Sequence, residues 1–227
     1  MNRTLVFTAL LVLAGTATAH PDDDNRVRSI DKINSSITAQ AGQAYGDLST
    51  VNGSIRIEAN ARVRDADTVN GSIRLADDVH SGGLSTVNGS IHVGPRARID
   101  GGVETVNGGV FVDRGVRVQR GIETVNGAIG VVDTDLGGGI ATVNGDITVG
   151  VGSHVKGGIH VEKPGKNWGI RLGKPKVPRV VIGPNAVVDG ALVFEREVTL
   201  YVHQSARIGA VSGATAQRYT SASPPKE

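Results

Sequence analysis

The chain has 227 residues, with 24 basic and 22 acidic side chains and a net charge of +2, a balance that excludes an obligate nucleic-acid partner. Cysteine is absent, which excludes disulfides, a lipid-modified N-terminal cysteine and thiolate metal sites. Aromatics make up 3% while glycine counts 32, about twice its usual share, so any core must be narrow and filled by Val, Ile, Leu and Ala.

Residues 1–19 read as an export signal: Asn2-Arg3 gives a small positive region, Leu5 to Gly15 an apolar run, and Ala17-Thr18-Ala19 an Ala-x-Ala cleavage site before His20. The apolar run is too short to span a bilayer comfortably, so no transmembrane segment is expected in the mature chain. Residues 20–31, with Asp22, Asp23 and Asp24, are expected to be a disordered leader.

From residue 32 the sequence is governed by a repeat. Thr-Val-Asn-Gly starts at Thr50, Thr68, Thr86, Thr105, Thr124 and Thr142, in steps of 18, 18, 19, 19 and 18 residues. A weaker copy around Asn34 precedes the first. A fixed short period of this kind is the signature of a solenoid. Five and seven residues after each Thr stand apolar pairs such as Ile55/Ile57, Ile91/Val93 and Ile147/Val149, with Arg56, His92 and Thr148 between them. That alternation has period two and predicts half-buried strands. The pattern recurs at Ala61/Val63 and Ala97/Ile99, and single apolar residues follow at Ala66, Leu84, Val103, Ile122 and Ile140. Each coil thus offers three short strands. The expected fold is all-β, a single-stranded parallel β-helix of about nine coils of 18–20 residues.

The Asn column reads Asn34, Asn52, Asn70, Asn88, Asn107, Asn126 and Asn144. Stacked carboxamides can bond from coil to coil and fix the register, so the column is expected to be a structural ladder. The following Gly is expected to supply a positive φ in a tight turn. At Asp133-Thr134-Asp135 beside a Gly run the pattern loosens. Asp133 and Asp135 are the candidates for a cation-binding turn, set against a solvent-facing corner as the plainer reading; the tandem Gly-Gly-x-Gly-x-Asp calcium pattern is absent, and no metal or cofactor is expected.

The repeat breaks at residues 163–179, where six basic residues, no acidic ones and the only Trp occur together: Lys163, Lys166, Trp168, Arg171, Lys174, Lys176 and Arg179. Three prolines argue against a central strand, so a loop extruded from one corner is expected, either a solvated insertion or an arm contacting anions or a membrane surface. Two further coils follow over 180–213, and residues 214–227 are expected to be a disordered tail.

The stretch Ile182-Gly183-Pro184-Asn185-Ala186-Val187-Val188-Asp189-Gly190, with Leu200 to Gly209, resembles the bactofilin-type, polymer-forming β-helix proteins of bacteria. The Thr-Val-Asn-Gly coils resemble bacterial β-strand-repeat adhesin families. The first resemblance implies a right-handed helix, end-to-end self-assembly and no nucleotide. Bactofilins are largely cytoplasmic, whereas this chain opens on an export signal, so an exported, non-catalytic structural or adhesive protein of the periplasm, envelope or cell surface is expected. Its expected partners are further copies of itself, or envelope polysaccharide or peptidoglycan. An alternative lies in Ile182 to Val187, which fits the hexapeptide pattern of left-handed β-helix acyltransferases, enzymes that lean on a His as general base. His80, His92, His154, His160 and His203 would be its candidates, but no Ser-His-Asp grouping, phosphate loop or metal spacing accompanies them.

Overall fold

A segment of three to five residues that is apolar on alternate positions can bury only one side, and two or three such side chains cannot make a core alone. Stacking identical segments removes that deficit, because each coil covers the next at about 4.8 Å. The computed structural model describes residues 27–164 and 176–225 and has this arrangement. Among the described residues it is an all-β solenoid with ten strands in sheet A, ten in sheet B and nine in sheet C. Neighbouring strands in each sheet are parallel and belong to successive coils, as in Leu48 on Ala66, Ile55 on Ile73 and Tyr45 on Val63.

The rod has ten coils rather than nine, because the C-terminal end extends past the expected boundary; the N-terminal end does so by two residues. Coil 1 begins with the strand Ile30–Lys32 in sheet A, which starts two residues inside the expected leader, and continues with Ile37–Ala39 in B and Ala44–Tyr45 in C. Coil 10 has Val211–Ser212 in A, within the expected coils, and Ala216–Tyr219 in B, inside the expected tail. Tyr219 is inconspicuous in a small, polar sequence, yet it is buried and anchors that last strand. The export signal and Trp168 lie outside the described residues.

The core is a column of stacked aliphatic side chains. Leu48, Ala66, Leu84, Val103, Ile122 and Ile140 line sheet A, and Ile37, Ile55, Ile73, Ile91, Val110 and Ile129 line sheet B; all are at most 1% exposed. Each Ile, Leu or Val contributes up to about 1.5–3 kcal/mol by leaving water.

The corner between sheets B and C holds a column of left-handed residues: Gly42, Asn60, Asp78, Arg96, Gly115, Asp133, Gly152 and Asn185, with φ from 46° to 74°. This is the positive-φ turn of the coil. It is not the Asn-Gly corner, which lies between sheets A and B. Of the six glycines that follow Asn in the full repeats, only Gly127 has positive φ, an extended 159°. In coil 8 the A-to-B corner is where the chain departs, between Ile159–Val161 and Arg179–Ile182; residues 165–175 of that excursion lie outside the described residues.

Candidate functional site: the rails of the A–B corner and the faces beside it

The Thr-Val-Asn-Gly unit is a set of coil-to-coil bonds. Each Asn Nδ2 donates to the Asn Oδ1 of the preceding coil, unbroken from Asn144 to Asn34, at 2.8–3.1 Å. Each Thr points inward and is buried. The Oγ1 atoms of Thr68, Thr86, Thr105 and Thr124 donate to the carbonyls of Gly53, Gly71, Gly89 and Gly108 in the coil before, at 2.9–3.1 Å. Glycine is required there by close approach: a Cβ on Gly71, Gly89 or Gly108 would collide with the carbonyl oxygen of the glycine stacked beneath it. The backbone completes the unit, with Gly71 N donating to Asn88 O (3.1 Å) and Gly89 N to Asn107 O (3.0 Å). A shorter serine rail runs alongside: the Oγ atoms of Ser36, Ser54, Ser72 and Ser90 accept from the amides of Ser54, Ser72, Ser90 and Gly109.

The Asn ladder ends at Asn144 because coil 8 leaves the corner. Through the opening, Arg196 of coil 9 donates Nη1 to both Asn144 Oδ1 and Val143 O, and Nη2 to Lys176 O. A guanidinium can only donate, so it fixes Asn144 with its oxygen towards coil 8, and every amide upstream follows in the same sense. The aligned amides leave their negative end at Asn144, where the cation sits.

The described residues of the basic segment are held by the protein itself. Lys176 Nζ is 2.7 Å from Asp146 Oδ2, and Arg179 N donates to Asp146 Oδ1 at 2.9 Å, so Asp146 fastens the returning strand. The two contacts help hold the Asp146 carboxyl below the usual range against its partial burial. Arg179 lies 4.9 Å over the Tyr201 ring and donates Nη2 to Pro225 O, which folds the C-terminal residues back over sheet B. The Lys163 side chain is exposed. Lys166, Trp168, Arg171 and Lys174 lie outside the described residues.

Asp133 occupies the left-handed corner column, in line with Gly115 and Gly152. Asp135 stands in sheet C, in register between Arg117 and His154, with its Oδ2 3.6 Å from Arg117 Nε. The corner is therefore ordinary coil, with Leu136 fully buried behind it, and the described residues hold no group of three or more His, Asp or Glu able to bind a metal. The histidines are dispersed. His80 Nε2 is 2.7 Å from Asp100 Oδ2, His154 Nε2 is 2.6 Å from Asp189 Oδ2, and His160 Nε2 is 3.1 Å from Glu195 Oε1. Each bridges one coil to the next. His203 packs edge-on to Tyr219 and takes Ser205 as its Nδ1 partner.

The three faces differ in charge. Outward positions on sheet A carry Asp31, Asp67, Glu104 and Glu123, with Glu104 directly over Glu123. Burial, together with Asp65, Asp47 and Glu104, pushes the Asp67 carboxyl up to about 6. Between the Thr and Asn rails the same face shows an apolar stripe, with Ile33, Val51 and Val69 exposed, the latter two 41% and 40%, while Val143 is 9% exposed under Arg196. Outward positions on sheet B run Arg56, Arg74, His92 and Phe111 in register on successive strands. Sheet C is also basic, but Arg98 and His80 share Asp100, Arg117 faces Asp135, and His154 has Asp189.

At the C-terminal end the inward position of the last B strand is Arg218, stacked on Val202. Its Nη1 donates to His203 O (3.3 Å) and Ala206 O (3.4 Å). An inward charge on a terminal strand blunts the edge against further pairing. The Thr rail had a sequence signal, a hydroxyl repeating at an inward apolar position. Arg196 and Arg218 had none, because each occurs once. No protein-family model, no curated protein and no solved structure matches this chain.

Proposed function

We propose that the protein is an exported, non-catalytic β-solenoid that serves as a self-assembling structural and adhesive rod of the cell envelope. One observation carries this reading: the most repeated polar side chains are consumed in coil-to-coil bonds. Asn ladder, Thr rail and Ser rail all join one coil to the next. Repetition here supports stiffness and register, and the outward columns between the rails remain as long, uniform faces suited to extended contacts. The Ala17-Thr18-Ala19 site supports export.

Two measurements test the reading. Intact mass of the chain recovered from the envelope or culture fraction is expected to begin at His20; a cytoplasmic chain retaining Met1 rules out export. Light scattering after size exclusion, with negative-stain images of the same fraction, is expected to show concentration-dependent assemblies. A monomeric rod at every concentration would sink self-assembly.

A further inference from the structure

An Asn-Gly pair is chemically labile, because the glycine amide nitrogen is unhindered and can close a five-membered ring onto the Asn Cγ. The chain has six such pairs, at Asn52, Asn70, Asn88, Asn107, Asn126 and Asn144. In five of them the glycine amide is tied down: Gly53, Gly71, Gly89, Gly108 and Gly127 each donate N–H to the Asn carbonyl of the next coil, at 2.9–3.1 Å. The sixth differs. Coil 8 pairs with coil 7 only as far as Thr142 on Val161, and then leaves the corner. Among the described residues the Gly145 amide has no acceptor, and Asn144 and Gly145 are half-buried, within reach of water. In place of a further rung, Arg196 donates Nη1 to Asn144 Oδ1.

We infer that Asn144 is a site of spontaneous covalent modification, the one rung of the Asn ladder that converts to aspartate or isoaspartate in the folded protein. The reaction takes only water. Gly145 N loses its proton and bonds to Asn144 Cγ, the Cγ–Nδ2 bond breaks, and ammonia leaves with that proton; the product is a five-membered imide. Water then adds to one imide carbonyl and the ring C–N bond opens, leaving aspartate or isoaspartate. In an inner coil the attacking nitrogen must first give up its bond to the next coil, and the Asn must turn out of a ladder that holds it on both sides. At Asn144 the first of these restraints is missing. Arg196 replaces the outer rung, but it grips the carbonyl under attack and not the attacking nitrogen. Its donation draws charge from Cγ and faces the oxyanion as it forms. The product also fits there, since a carboxylate at residue 144 meets a guanidinium where an inner one would meet a neutral amide. What is lost is one bond: Asn144 Nδ2 donates to Asn126 Oδ1, and a carboxylate has no proton to donate. The modification therefore severs the ladder at its C-terminal end and leaves the rungs from Asn34 to Asn126 in place.

The test follows the full chain by peptide mass spectrometry and ammonia release in mildly alkaline buffer, once folded and once in denaturant. In denaturant the six pairs are expected to convert at similar rates. In the folded protein Asn144 is expected to convert about tenfold faster than any of the other five, the ratio that one missing amide hydrogen bond of ordinary strength supports. Asn144→Gln keeps an amide at the ladder end but has to close a six-membered ring, so it should remove the fast phase of ammonia release; circular dichroism checks that the variant is folded. A folded protein in which another Asn-Gly converts as fast as Asn144 overturns the inference. So does one in which all six stay intact over the time in which the denatured chain converts. A fast phase that survives in Asn144→Gln overturns it as well.

Discussion

Coils 2 to 7 and coils 8 to 10 share one backbone path but keep their register by different chemistry. The first group is held by repetition, with Asn on Asn, Thr on a glycine carbonyl, and glycine packed directly over glycine. The second is held by singular contacts: Arg196 into the end of the ladder, Arg179 over Tyr201, Tyr219 against His203, and Arg218 over the terminal carbonyls. Where the corner is intact, a cheap unit can be copied. Where the chain leaves the corner in coil 8, each junction needs its own residue.

The largest expected effect separates the two regions at a single methyl group. Gly89→Ala places a Cβ on the carbonyl of Gly71 in the close-packed column and should destabilise by about 3 kcal/mol or more. Gly183→Ala, in coil 8, meets its nearest atom, Val149 O, at 3.1 Å and should lose only about 1 kcal/mol. Chemical denaturation of the two variants reads the difference. Equal losses would mean that the Asn-Gly corner is not closed by packing.

Next in size is the junction. Arg196→Met keeps the aliphatic stem but leaves Asn144 Oδ1 and Val143 O without their donor. A loss of about 1–3 kcal/mol is expected. Hydrogen exchange should quicken around coils 7 and 8 while coils 2 to 5 keep their protection. Uniform exchange along the rod would show that Arg196 is not what joins the regions.

Within the repeat, the Thr rail allows a sharper contrast. Thr105→Val removes the bond to Gly89 O and should destabilise by about 0.5–1.5 kcal/mol. Thr142 stands at the end of the same rail, where its buried hydroxyl has no hydrogen-bond partner among the described residues. Thr142→Val should therefore be neutral or stabilise by up to about 1 kcal/mol. Melting temperatures moving in the same direction and by the same amount would remove the rail from the account.

Period and alternation made much of this legible in the sequence. They place Ile55, Ile91 and Ile147 inward, give three strands per coil, and align the Asn column. The reason for the glycines was not legible. Positive φ merely favours a glycine at Gly42 or Gly115, where other coils seat Asn, Asp or Arg, while close approach demands one at Gly89 or Gly108, and the letter is the same for both. The full extent of the rod is hidden in the sequence because Ile30 and Tyr219 sit in polar surroundings that look like tails, yet each completes a stack begun by its neighbour. The repeat already sets Arg56 and Arg74 in one column, and the register adds that Glu104 covers Glu123 on the other face.

The smallest expected effect distinguishes the acidic face by pH. Asp67 has its carboxyl raised from an ordinary 3.8 to about 6, first by burial and then by Asp65, Asp47 and Glu104. The folded state therefore holds this proton more tightly than the unfolded chain, and the contribution to stability is full below about 3.8 and is lost as pH rises through about 6. Most other shifted carboxyls run the opposite way: Arg96 holds Asp78 low, His80 and Arg98 hold Asp100 low, and a bond from the Lys163 amide leads in lowering Glu195. Those groups weaken the fold when acid protonates them, so the raw stability curve mixes both signs. The difference between wild type and Asp67→Asn isolates the one group. Above pH 6 the variant should be the more stable by about 1 kcal/mol, less than full linkage gives because the carboxyl is only partly buried. Relative to the variant, wild type should gain as pH falls from 6 towards 4. A difference that stays flat over that window would place Asp67 in water, with no raised proton affinity for the acidic face to impose.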